Sequence, residues 1–147
     1  MLTTYGFQDV DLDIAHADLG DQYSIAGDGV GSIAFAMTNE RSAHDVAADG
    51  AVMVSKIKAK NGTVAIAIQQ TSPLHKWLIK LFNKLQADSS PTTYWAGIKI
   101  VLRAPKMGDQ ITATGVSFQK QADRGYKAQG EQVSWILMAA EVQMDVI

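Results

Sequence analysis

The sequence contains no cysteine in its 147 residues, which removes disulfide staples, thiolate nucleophiles and zinc–thiolate sites together. Proline is scarce: Pro73, Pro91 and Pro105 are the three, and each falls where the residue pattern changes. Long apolar runs are missing too, since nothing approaches the roughly twenty residues that a membrane-spanning helix needs. The opening, MLTTYGFQDVDLD, has neither the basic start nor the apolar stretch of a secretory leader. The expectation is a protein made and kept in the cytosol unless another machine carries it out. Catalytic spacings such as GxSxG or HExxH are likewise lacking, so a hydrolase or metal enzyme has no positive support. What is present is 47% hydrophobic and 19% charged residues, the balance of a chain that folds. The length predicts one domain over residues 1–147 around a single core.

The net charge of −2 hides a strong asymmetry. Residues 1–50 hold nine acids (Asp9, Asp11, Asp13, Asp18, Asp21, Asp28, Glu40, Asp45, Asp49) against Arg41, a net of −8, whereas residues 51–107 hold nine bases against Asp88, a net of +8. Two outcomes are open: faces of opposite sign that favour head-to-tail self-association, or a fold that interleaves the segments and mixes the charges.

Alternation with period two dominates, the mark of half-buried strands. In YGFQDVDLDI, residues 5–14, Val10, Leu12 and Ile14 point one way and Asp9, Asp11 and Asp13 the other. A glycine-rich loop through Gly20, Gly27, Gly29 and Gly31 follows, then strand-like GSIAFAMTN and an extended piece around HDVAA. The turn dipeptides at Asp49–Gly50 and Asn61–Gly62 flank AVMVSKIKAK and precede TVAIAIQQT, predicting a meander of hairpins. The period changes once. Ser72 as N-cap and Pro73 at the first helical position open a helix. Leu74, Trp77, Leu78, Leu81, Phe82 and Leu85 recur at helical spacing, giving an amphipathic helix over about 73–87 that must cover a sheet or a barrel mouth. Three further strand patterns, YWAGIKIVLRA, QITATGVSFQK and VSWILMAAEVQMDVI, complete the chain. The expected class is mainly β (α+β): an antiparallel sandwich or barrel capped by one helix.

Each chemical constellation has a plain reading beside a functional one. Asp9, Asp11 and Asp13 imitate the start of a calcium loop, but its sixth position is Ile14 and its twelfth Gly20, so the motif fails. Repeated around a ring, the same three carboxylates would line a channel with negative potential that repels nucleic acid phosphates. AGDGVGS, residues 26–32, has no GK[ST] ending and precedes a strand, so it reads as a loop and not a phosphate cradle. Of the histidines, His16, His44 and His75, the second adjoins Asp45 but neighbours on a strand face opposite ways, which is no catalytic dyad. His75, opening the helix, is expected to cap it or face solvent. Lys76, Lys80 and Lys84 repeat on the helix side away from the leucines, as a solvated face or as a docking stripe for an acidic partner.

GTVAIAIQQTSPLHKWLIKLF, residues 62–82, resembles the GTVTVxLLxTSPxNxxL core of a family of phage structural proteins taken to be tail tube subunits. YGFQDVDLDI resembles that family's YxFxDVxxxI opening, AADG at 47–50 its ADG turn, and VSWILMAAEVQMDVI its closing VxWxFxxxxID strand. The matches run in order over almost the whole chain. One departure is Lys76, where the family more often has asparagine.

The resemblance implies a tail-tube fold similar to that of the type VI secretion tube, with two packed antiparallel sheets forming a barrel-like core and one helix at the side. It implies no enzyme and no cofactor, but a virion protein of the tail, assembled in the host cytoplasm. Its partners would be further copies of itself in stacked hexameric rings, then sheath, baseplate and tail terminator proteins, with DNA passing through the lumen unbound. It also implies loops that reach neighbouring subunits, here 19–31 and 38–50 with Asp21, Asp28, Glu40, Arg41, Asp45 and Asp49. The alternatives are the tube of a related injection machine and, from another class, a small-ligand barrel with Tyr94, Trp95 and Trp135 around a cavity.

Overall fold

The computed structural model describes residues 2–25 and 29–147. Nine strands and one α-helix form it: β1 Asp11–His16, β2 Asp21–Ile25, β3 Val30–Met37, β4 Ser42–Val46, β5 Val52–Lys56, β6 Gly62–Gln69, α1 Pro73–Gln86, β7 Ile98–Ala104, β8 Asp109–Phe118 and β9 Gln132–Val146. Seven strands make one antiparallel sheet in the order β2-β1-β7-β8-β9-β6-β3, and β4 pairs with β5 alone. The mainly antiparallel β architecture with a single helix is the expected class. The sheet is not closed, however, because β2 and β3 are its two edges.

Chain connectivity bends this sheet strongly. Ile25 ends one edge strand and Val30 begins the other, so five residue steps, about 18 Å at full extension, join opposite margins of a seven-stranded sheet. The sheet must therefore curl until its margins approach, leaving a seam instead of a closed barrel. Helix α1 contacts β2, one margin of the sheet, and β6, the strand next to the other margin β3. Ser72 starts the helix by accepting the Leu74 amide at 3.2 Å, and Leu74, Leu78, Leu81 and Leu85 are buried beneath it. Trp77 and Phe82, expected in that stripe, are half-buried at its borders. Trp77 meets Tyr23 of β2 with ring centroids 5.6 Å apart, and Lys84 pairs with Asp21 of β2 at 2.9 Å.

A second device sharpens the curl. On β8, Ala113 is buried but so is Val116, three residues on; on β9 the partner positions Val142 and Ala139 are buried likewise. Three-residue spacing breaks the period-two rule, and the break falls at Gly115, whose φ is +62°. A β-carbon there would lie 2.7 Å from that of Ala140, so glycine lets both strands kink at one level without a clash. The inward face thus continues past the kink through Ile111 and Met144.

Three sequence expectations are corrected. The glycine-rich stretch contains β2, whose Tyr23 and Ile25 alternate inward. Asn61–Gly62 is no hairpin turn: Gly62 begins β6 and sits against the Ala36 carbonyl of β3, because β3 pairs with β6 across the inserted β4–β5 hairpin. There is accordingly no meander here, although Asp49–Gly50 does turn β4 into β5, with Gly50 at φ +88°.

Candidate functional site: sheet edges, hairpin and helix face

The acidic run does not lie on one strand. Asp9 belongs to a 3₁₀ turn, Phe7–Asp9, and pairs with Lys106 at 3.2 Å. Asp11 and Asp13 do sit on the outward face of β1, but Asp11 is directly opposite Arg103 of β7, and Asp13 accepts a hydrogen bond from Ser24 Oγ. Together with Lys84–Asp21 these placements bring the acidic first third against the basic middle at three points, Asp9 with Lys106, Asp11 opposite Arg103 and Asp21 with Lys84. Asp28 lies outside the described residues.

The segment 38–50 stands out differently. Every residue of β4 and β5 is exposed. Their register pairs Val46 with Val52 and His44 with Val54, so these four share one face of the ribbon, while Asp45 and Met53 share the other. His44 and Asp45 face apart, as the alternation requires. The valines are 52–65% exposed and nothing among the described residues covers them. The ribbon's base is fixed by the Arg41 Nε–H donating to the Ile57 carbonyl at 2.8 Å and by Asn39 donating to Asn61 at 2.8 Å. Asp49 steadies the tip by accepting the Ala51 amide at 3.0 Å. Glu40 is exposed just before the ribbon.

On the helix, Lys76 and Lys80 face solvent, whereas Lys84 is engaged with Asp21. His75 does neither of the things expected of it. It is buried, 2% exposed, and its Nδ1 accepts the indole N–H of Trp135 at 3.0 Å. Burial first, then the nearby Lys76 and Arg124 cations, push its pKa below the ordinary histidine value. The ring is held neutral with its proton on Nε2. His16 is also buried: its Nδ1 accepts the Leu19 amide at 3.3 Å and its Nε2–H donates to the Tyr94 carbonyl at 2.7 Å. Both imidazoles are thus occupied as structural bridges, which no local sequence pattern announces.

Of the aromatics expected around a ligand cavity, Trp135 and Tyr94 are spent on packing, Tyr94 edge-on to His16, while Trp95 also borders an open pocket of about 470 Å³ at the end of the helix, with Leu85, Asp88 and Pro91. Trp135 is fully buried against Phe118, with ring centroids 5.5 Å apart, and Trp95 leans on Phe82 at 6.1 Å. A smaller and more apolar opening lies at the end of the curled sheet past the Gly115 kink. It is a cleft of about 220 Å³ lined by residues including Phe7, Val10, Ile33, Phe35, Ile111 and Met144, smaller than most small-molecule sites. Among the described residues no three metal-type ligands gather, and no helix is long and apolar enough to cross a membrane.

Over residues 2–146 the sequence matches the family model described as the bacteriophage PhiTE tail tube protein. The chain belongs to that family. It is therefore a structural protein of the phage tail and not an enzyme. No curated protein matches the sequence. Solved structures share the fold at low identity. The sheath/tube terminator of an extracellular contractile injection system, PVC, is similar at TM-score 0.58 and 10% identity over 99% of both chains. The tube terminating cap of the anti-feeding prophage is similar at 0.57 and 9%, over 100% of this chain and 95% of that one. A chain of the PVC sheath–tube complex gives 0.56 and 8%, over 98% and 93%. This tail tube family member thus has the fold of contractile-injection tube and terminator proteins across its whole length.

Proposed function

We propose that the chain is the tube subunit itself: copies join edge to edge into hexameric rings, the rings stack head to tail, and DNA leaves through the bore. The observation that carries this reading is the open sheet. The two sheet edges, β2 and β3, pair with no further strand among the described residues, and an exposed sheet edge is a template for another strand. Each copy has one edge of each kind, so the contact is heterologous and closes into a ring when the rotation per subunit fits. Family membership over 2–146 supports the tube role.

In this assembly Asp11 and Asp13 face the bore and repel phosphate, and Lys76 and Lys80 face outward toward a sheath. The exposed hairpin, with Asp45 and Asp49, reaches a neighbouring copy. Baseplate and terminator proteins meet the two ends, and assembly takes place in the host cytoplasm. Electron microscopy of the purified protein tests the core of the proposal: annuli or tubes are the expected result. Ala34→Lys on edge strand β3, at an exposed position, should leave the monomer folded and prevent ring closure. Normal tubes from that variant would refute edge-to-edge closure.

A further inference from the structure

Between the end of α1 and β7 the chain carries two charged residues over positions 83–95, Lys84 and Asp88. Lys84 is the base in the last turn of α1, and its ammonium is drawn aside to Asp21 of β2 at 2.9 Å. The last carbonyls of the helix leave the negative end of its dipole at this point. Asp88, just past the helix end at Gln86, adds a carboxylate that is exposed and has no ion pair among the described residues. Trp95, 36% exposed, and the buried Leu85 border the same open pocket of about 470 Å³. The wall that carries Trp95 is fixed in advance. The Ser90 amide donates to the Ala87 carbonyl at 2.9 Å and the Trp95 amide to the Thr92 carbonyl at 3.2 Å, while the Tyr94 carbonyl accepts from the Gly97 amide at 3.1 Å and from His16 Nε2–H at 2.7 Å. The Trp95 ring leans on Phe82. A wall held this way has little ordering left to lose when a ligand arrives.

We infer that this pocket is a binding site for an organic cation, with a guanidinium group as its best match. A guanidinium is flat enough to stack on an indole and forked to donate two parallel hydrogen bonds to a carboxylate, whereas an ammonium brings only a point charge to each. The helix carbonyls favour a positive ligand and disfavour an anion. Leu85 gives an alkyl stem an apolar surface to lie on, and the volume is within the range of small-ligand sites. The group can come from an arginine side chain of an adjoining tail protein or from a free guanidinium compound; the chemistry of recognition is common to both. The whole site lies within one chain, so it stands whether or not copies close into rings.

The probe is acetylarginine methylamide, titrated against the purified full chain and followed by ligand-observed nuclear magnetic resonance. Saturable binding is expected. The citrulline analogue, equal in shape but uncharged, should bind about tenfold more weakly or worse, and so should arginine to the Asp88→Asn chain, because a charge-assisted hydrogen bond is lost in each case. Asp88 is exposed, so Asp88→Asn should keep the parent's circular dichroism and melting temperature. Trp95→Leu should weaken binding several-fold, and the lysine analogue should bind less tightly than arginine to the parent. No saturable binding, a citrulline analogue that binds as well as arginine, or an Asp88→Asn chain that binds like the parent overturns the site. Intact tails then separate the two sources: tails that no longer take up the probe have the pocket filled by a protein arginine, and tails that bind it as the free chain does leave it to a free cation.

Discussion

Trp135 offers the sharpest test of the core. It is fully buried on β9, packs edge-on to Phe118, and donates its indole N–H to His75 Nδ1, thereby fastening α1 to the sheet. Trp135→Phe keeps most of the ring packing but removes the donor. The loss of one buried hydrogen bond, with His75 left an unpaired acceptor, is worth about 1 to 3 kcal/mol. Trp135→Ala adds the cavity and should cost about 3 to 5 kcal/mol or more, a large part of the roughly 5 to 15 kcal/mol available to a domain. Trp77→Ala, at the half-buried border of the helix stripe, should cost less than Trp135→Ala. Urea unfolding followed by far-ultraviolet circular dichroism measures all three without relying on the tryptophan signal. At about 3 °C per kcal/mol for a chain of this size, Trp135→Phe should melt several degrees below the parent. If Trp135→Phe is as stable as the parent, the His75 bridge contributes nothing; if Trp77→Ala proves worse than Trp135→Ala, the core has been placed on the wrong side of the helix.

His75 gives a pH dependence with a definite sign. Its folded pKa is lowered, so below the unfolded value near 6.5 the unfolded chain takes a proton that the folded chain refuses, and stability falls on acidification by up to about 1.4 kcal/mol per pH unit. Above pH 6.5 the contribution is flat; urea midpoints at pH 7.5 and 5.5 should converge in His75→Gln relative to the parent. Gly115→Ala should destabilise by about 1 to 3 kcal/mol, since φ +62° disfavours a β-carbon and Ala140 blocks it; thermal melting reads this directly. Lys84→Ala should cost under about 1 kcal/mol, because Lys84 is more than half exposed, and the difference should shrink in high salt. Asp11→Asn with Asp13→Asn should preserve the fold and slow or alter DNA ejection; unchanged ejection would remove the bore role.

How much was legible in the sequence depends on whether the signal was local. Helix α1 was: an N-cap serine, a proline at the first position and leucines at 3.6-residue spacing fixed Pro73–Gln86 to within a residue of the expected span. Strands β6, β8 and β9 and the Asp49–Gly50 turn were visible for the same reason, since alternation and turn chemistry are properties of adjacent residues. The short β2 was hidden by flanking glycines, and the false turn at Asn61–Gly62 came from reading a dipeptide without knowing that β6 pairs with β3.

The amino-acid order by itself determined an antiparallel β protein with one amphipathic helix, because hydrophobic period and capping act over a few residues. Tertiary structure alone decided which strands became edges, where the valine ribbon stands, and that His75 meets Trp135 sixty residues away. It also decided that Asp9 is neutralised by Lys106 while Asp11 and Asp13 stay on the outer face. Such pairings follow from chain closure and from competition for buried partners, and neither is written in any short stretch of sequence.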